Sequence, residues 1–230
     1  MIERGFSLVL DDATTRRLLG KGADRVLKSG RNVRTIETAR EELLELAEPA
    51  GAWRTAGVAG IKHDTLVLDD GSVIGGGPVV AVTCGASEIA VGVSTIGPGV
   101  ERKTREYIEA GNTFHAFVLD AMASWAAGEV RTRLVAIVKD HYARRGYRTS
   151  IMLGPGESAW SVEGQRAVFA LLGDEAAAIG LRLEPTLLMT PLKSTTFLLG
   201  AGPGPLGDEA GDPCTYCSLQ DRCERRGMHG

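Results

Sequence analysis

Thr65-Leu66-Val67-Leu68-Asp69-Asp70-Gly71-Ser72-Val73-Ile74 is the stretch from which the fold is read. Two apolar runs flank Asp70-Gly71, a pair suited to the positive φ of a tight turn. The stretch therefore predicts a β-hairpin, and hence an antiparallel pair. Two more strands are expected over residues 79–84 and 89–95. Upstream, Asp11-Asp12 caps a helix reaching about residue 28. Ile36, Ala39, Leu43, Leu46 and Ala47 then recur at helical spacing until Pro49.

Downstream, Gly97-Pro98-Gly99 breaks the chain and residues 100–110 read as a helix stopped by Gly111. A long helical pattern runs from Phe114 to about Arg145, weakened in its middle by Gly128. Residues 148–153 read as extended. Ser161 caps a helix to Leu172, and Asp174 a short one stopping at Gly180. Residues 181–190 and 194–199 read as a β pair linked through Pro191. Helices, hairpin, strands, helices, hairpin is not a regular β-α alternation. It predicts an α+β fold, a mixed or antiparallel twisted sheet with flanking helices. From Gly200 to Asp212 the composition turns to Gly, Pro and acid, as in a linker. The expected organisation is a domain over residues 1–205 and a Cys-rich tail over 206–230.

The chain has 230 residues, enough for one core with an appendage. Its formal net charge of −3 gives no reason to expect nucleic acid. No apolar run reaches the length of a membrane span. Met1-Ile2-Glu3-Arg4 is too charged to begin a signal peptide, so a cytoplasmic protein is expected.

Three of the four cysteines, Cys214, Cys217 and Cys223, stand in the polar tail at C-x2-C-x5-C spacing. Clustered exposed thiols are reactive, and a metal or iron–sulfur centre takes thiolates as its ligands. Cys84 is the candidate fourth ligand. An iron–sulfur cluster, 4Fe-4S in type, is the preferred occupant. Zinc is the alternative, with His229 as a possible further ligand. A disulfide framework and three incidental surface thiols also fit the spacing.

Arg148 precedes the loop Gly154-Pro155-Gly156-Glu157. Such a loop exposes backbone N–H and C=O groups, and a guanidinium near it can clamp a carboxylate. An ordinary surface turn beside an ordinary arginine fits equally well. Asp120 sits in the apolar stretch Phe117-Val118-Leu119-Asp120-Ala121-Met122, either facing solvent or buried for a reason. No Ser-His-Asp or Cys-His set can be assembled, and whether the chain is an enzyme stays open.

Four stretches resemble the activation domain of cobalamin-dependent methionine synthase, and more closely the stand-alone proteins related to it. They are residues 90–101, residues 118–124, Tyr147-Arg148 through Pro155-Gly156, and Leu188-Met189-Thr190-Pro191-Leu192-Lys193-Ser194. The resemblance covers roughly residues 80–200. It implies that Arg148 holds the carboxylate of S-adenosylmethionine and that Pro155 and Gly156 contact the ligand. Glu157 stands where the family usually has Tyr. Asp120 and Glu129 are the candidates for the family's acidic contacts. The resemblance further implies a corrinoid protein or corrinoid methyltransferase as partner and a role in its reductive activation. The expected function is an accessory of corrinoid-dependent methyl transfer, with its own iron–sulfur cluster as a source of the electron. The alternative is a non-catalytic binding or assembly protein with a structural metal.

Overall fold

The computed structural model describes residues 1–157, 160–211 and 213–216. In chain order the elements are β1 (Ile2–Arg4), α1 (Asp12–Leu18), a 3-10 turn (Gly20–Gly22), α2 (Ala23–Leu27), α3 (Gly30–Leu46), β2 (Ala50–Lys62), β3 (Thr65–Leu68) and β4 (Val73–Gly75). Then come α4 (Val79–Thr83), β5 (Glu88–Thr95), α5 (Gly99–Glu109), α6 (Thr113–Ala143) and β6 (Arg148–Thr149). The chain continues with α7 (Gly164–Leu172), α8 (Asp174–Ala178), β7 (Arg182–Leu183), β8 (Met189–Thr190), β9 (Ser194–Gly202) and a 3-10 turn (Pro213–Tyr216).

The main sheet runs β4-β3-β2-β5-β9-β6, and every pairing in it is antiparallel. β2 is its spine. On one side it pairs with β5 over residues 50–57. On the other it pairs first with β1 and then, from Val58, with β3, that pairing interrupted by a bulge between Val58 and Gly60. The bulge bends the strand and lets the β3–β4 hairpin curl over the sheet. The fold is α+β with a curled antiparallel sheet and flanking helices, as expected.

Alternation along the strands divides the core. Trp53, Ala90, Phe197, Leu199 and Ala201 point to one face, where Leu134, Val138 and Tyr142 of α6 cover them. Ala52, Ile89, Val91, Val93 and Leu198 point to the other, under Val168 and Leu172 of α7 and Ala176 of α8. Beyond the strand ends, α3, α5 and the first half of α6 close a helical layer around Leu43, Ile96, Val100 and Met122.

Several expectations are corrected. Residues 79–83 are helical, not extended: Thr83 Oγ1 donates to Val79 O and Val82 N to Pro78 O. The apolar run lies against the sheet, and burial of such a run does not reveal its period. The expected first helix is two short ones with a 3-10 turn at Gly20–Gly22. Asp11 caps the first, its carboxylate accepting from Thr14 N. The two C-terminal β segments do not pair with each other. β7 pairs with β8 in a two-stranded sheet, and β9 enters the main sheet between β5 and β6. β2 itself was not expected. Its sequence, Ala50-Gly51-Ala52-Trp53-Arg54-Thr55-Ala56-Gly57, is poor in β-branched residues because it lies between packed layers. A Cβ on Gly51 would stand 2.6 Å from Leu134 Cδ2.

Residues 203–211 form a strap rather than a free linker. Gly207 N donates to Cys84 O at 2.8 Å, Asp208 N to Val82 O, and Ile151 N to Asp208 O. A Cβ on Gly207 would stand 1.8 Å from Ala81 O, so the close approach requires glycine there.

Candidate functional site

Gly154-Pro155-Gly156-Glu157 closes a tight turn, with Glu157 N donating to Gly154 O at 3.0 Å. Pro at the second position and Gly156 at the third, with φ +82°, are what a type II turn demands. Leu153 pairs with Leu198 of β9 through two backbone hydrogen bonds, which places the turn at the side of β9. Trp160 backs it: Gly156 N donates to Trp160 O, and Trp160 Nε1 to Gly75 O on the hairpin.

Along this side β9 is partnered at Leu198 by Leu153, at Gly200 by Ser150, and at Ala201 and Gly202 by β6. Leu198 and Gly200 turn their peptide groups toward that side. In an antiparallel strand every second residue does so, which aims Thr196 N–H and C=O the same way. No described strand pairs with Ser194–Phe197 there. A stretch of open sheet edge results, with the Gly154 turn beside it.

The helix α6 supplies the opposite wall. Asp120, Ser124 and Arg131 lie on the stripe that also carries Leu134 and Val138, since eleven residues complete about three turns. Lys193 Nζ, just before β9, lies 2.7 Å from Asp120 Oδ1 and donates to Ser124 Oγ at 2.8 Å. About 16 Å along the helix, Arg131 Nη1 donates to Glu157 Oε1 at 2.6 Å. The Arg131 side chain is only 7% exposed, whereas that of Glu157 is 48% exposed. Two ion pairs thus bracket the open edge of β9, and its main-chain groups lie between them. Thr196 is only 4% exposed, so this unpaired edge offers main-chain hydrogen bonds to a small polar molecule only where the side chains over it give way, with charged groups at each end.

The sequence-predicted residues divide between the two ends of β9. Pro155, Gly156, Glu157 and Asp120 border the open edge. Glu129 does not: nine residues from Asp120 it lies half a turn around α6, and its carboxylate accepts from Arg133 Nε at 2.8 Å. Arg148 pairs with Gly202, four residues beyond the partner of Leu153, or about 13 Å along the strand. Its Nη2 lies 2.5 Å from Glu209 Oε2 in the strap. Cys84 lies at this same end as an exposed free thiol. Of the cysteines with predicted ligand roles, Cys217 and Cys223 lie outside the described residues, and Cys214 is described only in its backbone, within the 3-10 turn Pro213–Tyr216. Among the described residues no group of three His, Cys, Asp or Glu is placed to hold a metal ion. No described helix is long and apolar enough to cross a membrane.

Sequence reasoning missed Arg131, Lys193 and Thr196. Arg131 left a signal: it stands among the buried apolar positions Ala127, Val130, Leu134 and Val138 of the helix. Lys193 and Thr196 left none, because their significance depends on which strand has an open edge. Two cavities, about 270 Å³ beside Arg54 and Asp69 and about 320 Å³ beside Asp12 and Arg40, lie elsewhere and include none of the predicted ligand residues.

No protein-family model matches the chain, and no curated protein matches it. Among solved structures, the chain is similar to the MetH reactivation domain bound to AdoHcy, at 14% sequence identity and a TM-score of 0.58. The match covers 82% of this chain and 70% of that one. At this identity the likeness is one of fold: the chain has the architecture of the MetH reactivation domain.

Proposed function

We propose that this protein is an accessory of corrinoid-dependent methyl transfer that binds S-adenosylmethionine or AdoHcy and acts on a partner corrinoid protein. The observation that carries the reading is the shared architecture with a reactivation domain whose structure holds AdoHcy. The open edge of β9 supports it, since polar main-chain groups, the Pro155-Gly156 turn and the Asp120 carboxylate converge there.

In this reading Cys214, Cys217 and Cys223, with Cys84, hold a metal centre of the 4Fe-4S type, with zinc as the alternative. The strap supports Cys84 as a member, because it ties the root of the tail to the Cys84 carbonyl. A bound cluster would supply a low-potential electron for reductive activation of the partner's corrinoid. A second reading is a binding or assembly protein with a structural metal. The strap also favours it, since a metal there would reinforce contacts that already hold the tail root.

Calorimetric titration of S-adenosylmethionine and AdoHcy into the full chain tests the ligand. One-to-one binding that is weakened in Gly156→Val, where a β-branched side chain is strained at positive φ, is expected. Absence of heat for both ligands at millimolar concentration would end the reading. Anaerobic purification with metal and sulfide analysis separates the two metal readings: a brown protein with iron and sulfide supports the first, a colourless one with zinc the second.

A further inference from the structure

We infer that Arg131 is a carboxylate receptor at the open edge of β9, and that Glu157 occupies it in place of a ligand carboxylate. The inference rests on the proposed ligand site and names its anionic anchor.

Arg131 sits on the sheet-facing stripe of α6, with its side chain 7% exposed. A guanidinium removed from water needs an anion, because its desolvation is otherwise uncompensated. Among the described residues the carboxylate that meets Arg131 is that of Glu157, through Oε1. That acceptor does not come from a packed element. It comes from the turn bordering the unpaired edge, on a side chain that is half exposed. The receptor is therefore fixed and its occupant is peripheral. A carboxylate entering along β9 beside Thr196 can take the place of Glu157, whose own carboxylate returns to water at small cost.

Arg148 is the other guanidinium that the sequence suggests, and it differs in three ways. It is exposed, it lies about 13 Å farther along β9 from the partner of Leu153, and Glu209 holds it against the strap. The exchange at Arg131 makes Glu157 a specificity residue. It lowers the affinity of ligands whose carboxylate must displace it from the guanidinium, and leaves those without a carboxylate unaffected.

The test uses the full chain and four variants: Glu157→Gln, Glu157→Ala, Arg131→Gln and the double variant Arg131→Gln/Glu157→Ala. Thermal melting is followed during titration with sodium acetate, with sodium chloride as the ionic-strength control. Glu157→Ala should melt lower than wild type and be restored saturably by acetate but not by chloride. The double variant should show no such response. An equal acetate response in the single and double variants, or none in Glu157→Ala, overturns the inference.

The second measurement is affinity for AdoHcy and for 5′-methylthioadenosine, which keeps the nucleoside but lacks the carboxylate. Glu157→Gln should bind AdoHcy about tenfold more tightly than wild type, the scale of one charge-assisted hydrogen bond, and leave methylthioadenosine unchanged. Should AdoHcy bind wild type and Arg131→Gln equally, the receptor falls and the proposed ligand stands. Should acetate restore Glu157→Ala while AdoHcy binds no variant, the receptor stands and the proposed ligand falls.

Discussion

Arg148, at the free side of β6, holds the carboxylate of Glu209 at 2.5 Å, and this pair fastens the strap to the sheet at the end of β9. Glu209 is fixed from its own side as well, its Oε1 accepting from Leu206 N at 2.7 Å. The pair is exposed on the arginine side, so it adds at most about 1 kcal/mol to global stability. Its effect is local.

Arg148→Ala should therefore leave the melting temperature within a few degrees of wild type and speed proteolysis within residues 203–211. Limited digestion with mass spectrometry reads the cut sites. AdoHcy affinity in the same variant completes the test. A loss larger than that in Arg131→Gln would move the ligand's carboxylate to Arg148.

Two glycines make opposite demands. A Cβ on Gly92 of β5 would stand 2.3 Å from Cε1 and Cζ of Phe197, whose ring lies across that residue. Gly92→Ala should cost about 1–3 kcal/mol, as overpacking does. A Cβ on Gly128, inside α6, would meet nothing within 4 Å. Gly128→Ala should stabilise by about 0.5–1 kcal/mol, through helix propensity alone. Urea unfolding of the two variants checks both signs.

Tyr107 OH donates to Glu42 Oε1 at 2.5 Å, and His115 Nε2 lies 2.9 Å from the other oxygen of that carboxylate. Burial, and then the hydrogen bond to Glu42, push the Tyr107 phenol up to about 12. The folded state thus keeps this proton where the unfolded chain loses it. The contribution is complete below pH 10 and is lost as pH rises to about 12. Tyr107→Phe should flatten the stability profile in that window, followed by unfolding at fixed urea and increasing pH.

Glu88, at the start of β5, runs the other way. Its hydrogen bonds to Arg145, at the end of α6, hold its carboxyl below the usual value. The contribution is present above the unfolded value and is lost as pH falls through the folded one. Arg145 also lies 4.5 Å over the Tyr147 ring, so the pair pins the end of α6 to the sheet. Glu88→Gln should reduce the acid sensitivity of unfolding as pH falls through and below the usual carboxylate range.

The hairpin, β5 and the three longest helices were legible in the sequence because each carries its own periodicity or punctuation. Asp70-Gly71 turns the hairpin, and Ser72 N bonds to Asp70 Oδ1 as the turn requires. β2 was not legible. Gly51 leaves space for Leu134 and Gly57 for Asp69, and those demands arise only when α6 and the β3–β4 hairpin are packed against the strand. α4 was misread because Val79-Val80-Ala81-Val82 is apolar throughout and carries no period. In the site, the turn at Pro155-Gly156 was legible from its residue types. The pairing of Glu157 with Arg131 was not, since it joins positions 26 residues apart through tertiary packing alone.

The most direct measurement of the central claim is a crystal structure of the full chain grown with saturating AdoHcy. The account predicts ligand density along the open edge of β9, between the Gly154–Glu157 turn and the Asp120–Arg131 stripe of α6. Its carboxylate should lie within hydrogen-bond distance of the Arg131 guanidinium, with Glu157 turned away. Density at either of the two separate cavities, or an unchanged Arg131–Glu157 pair with an empty edge at saturating ligand, would contradict it.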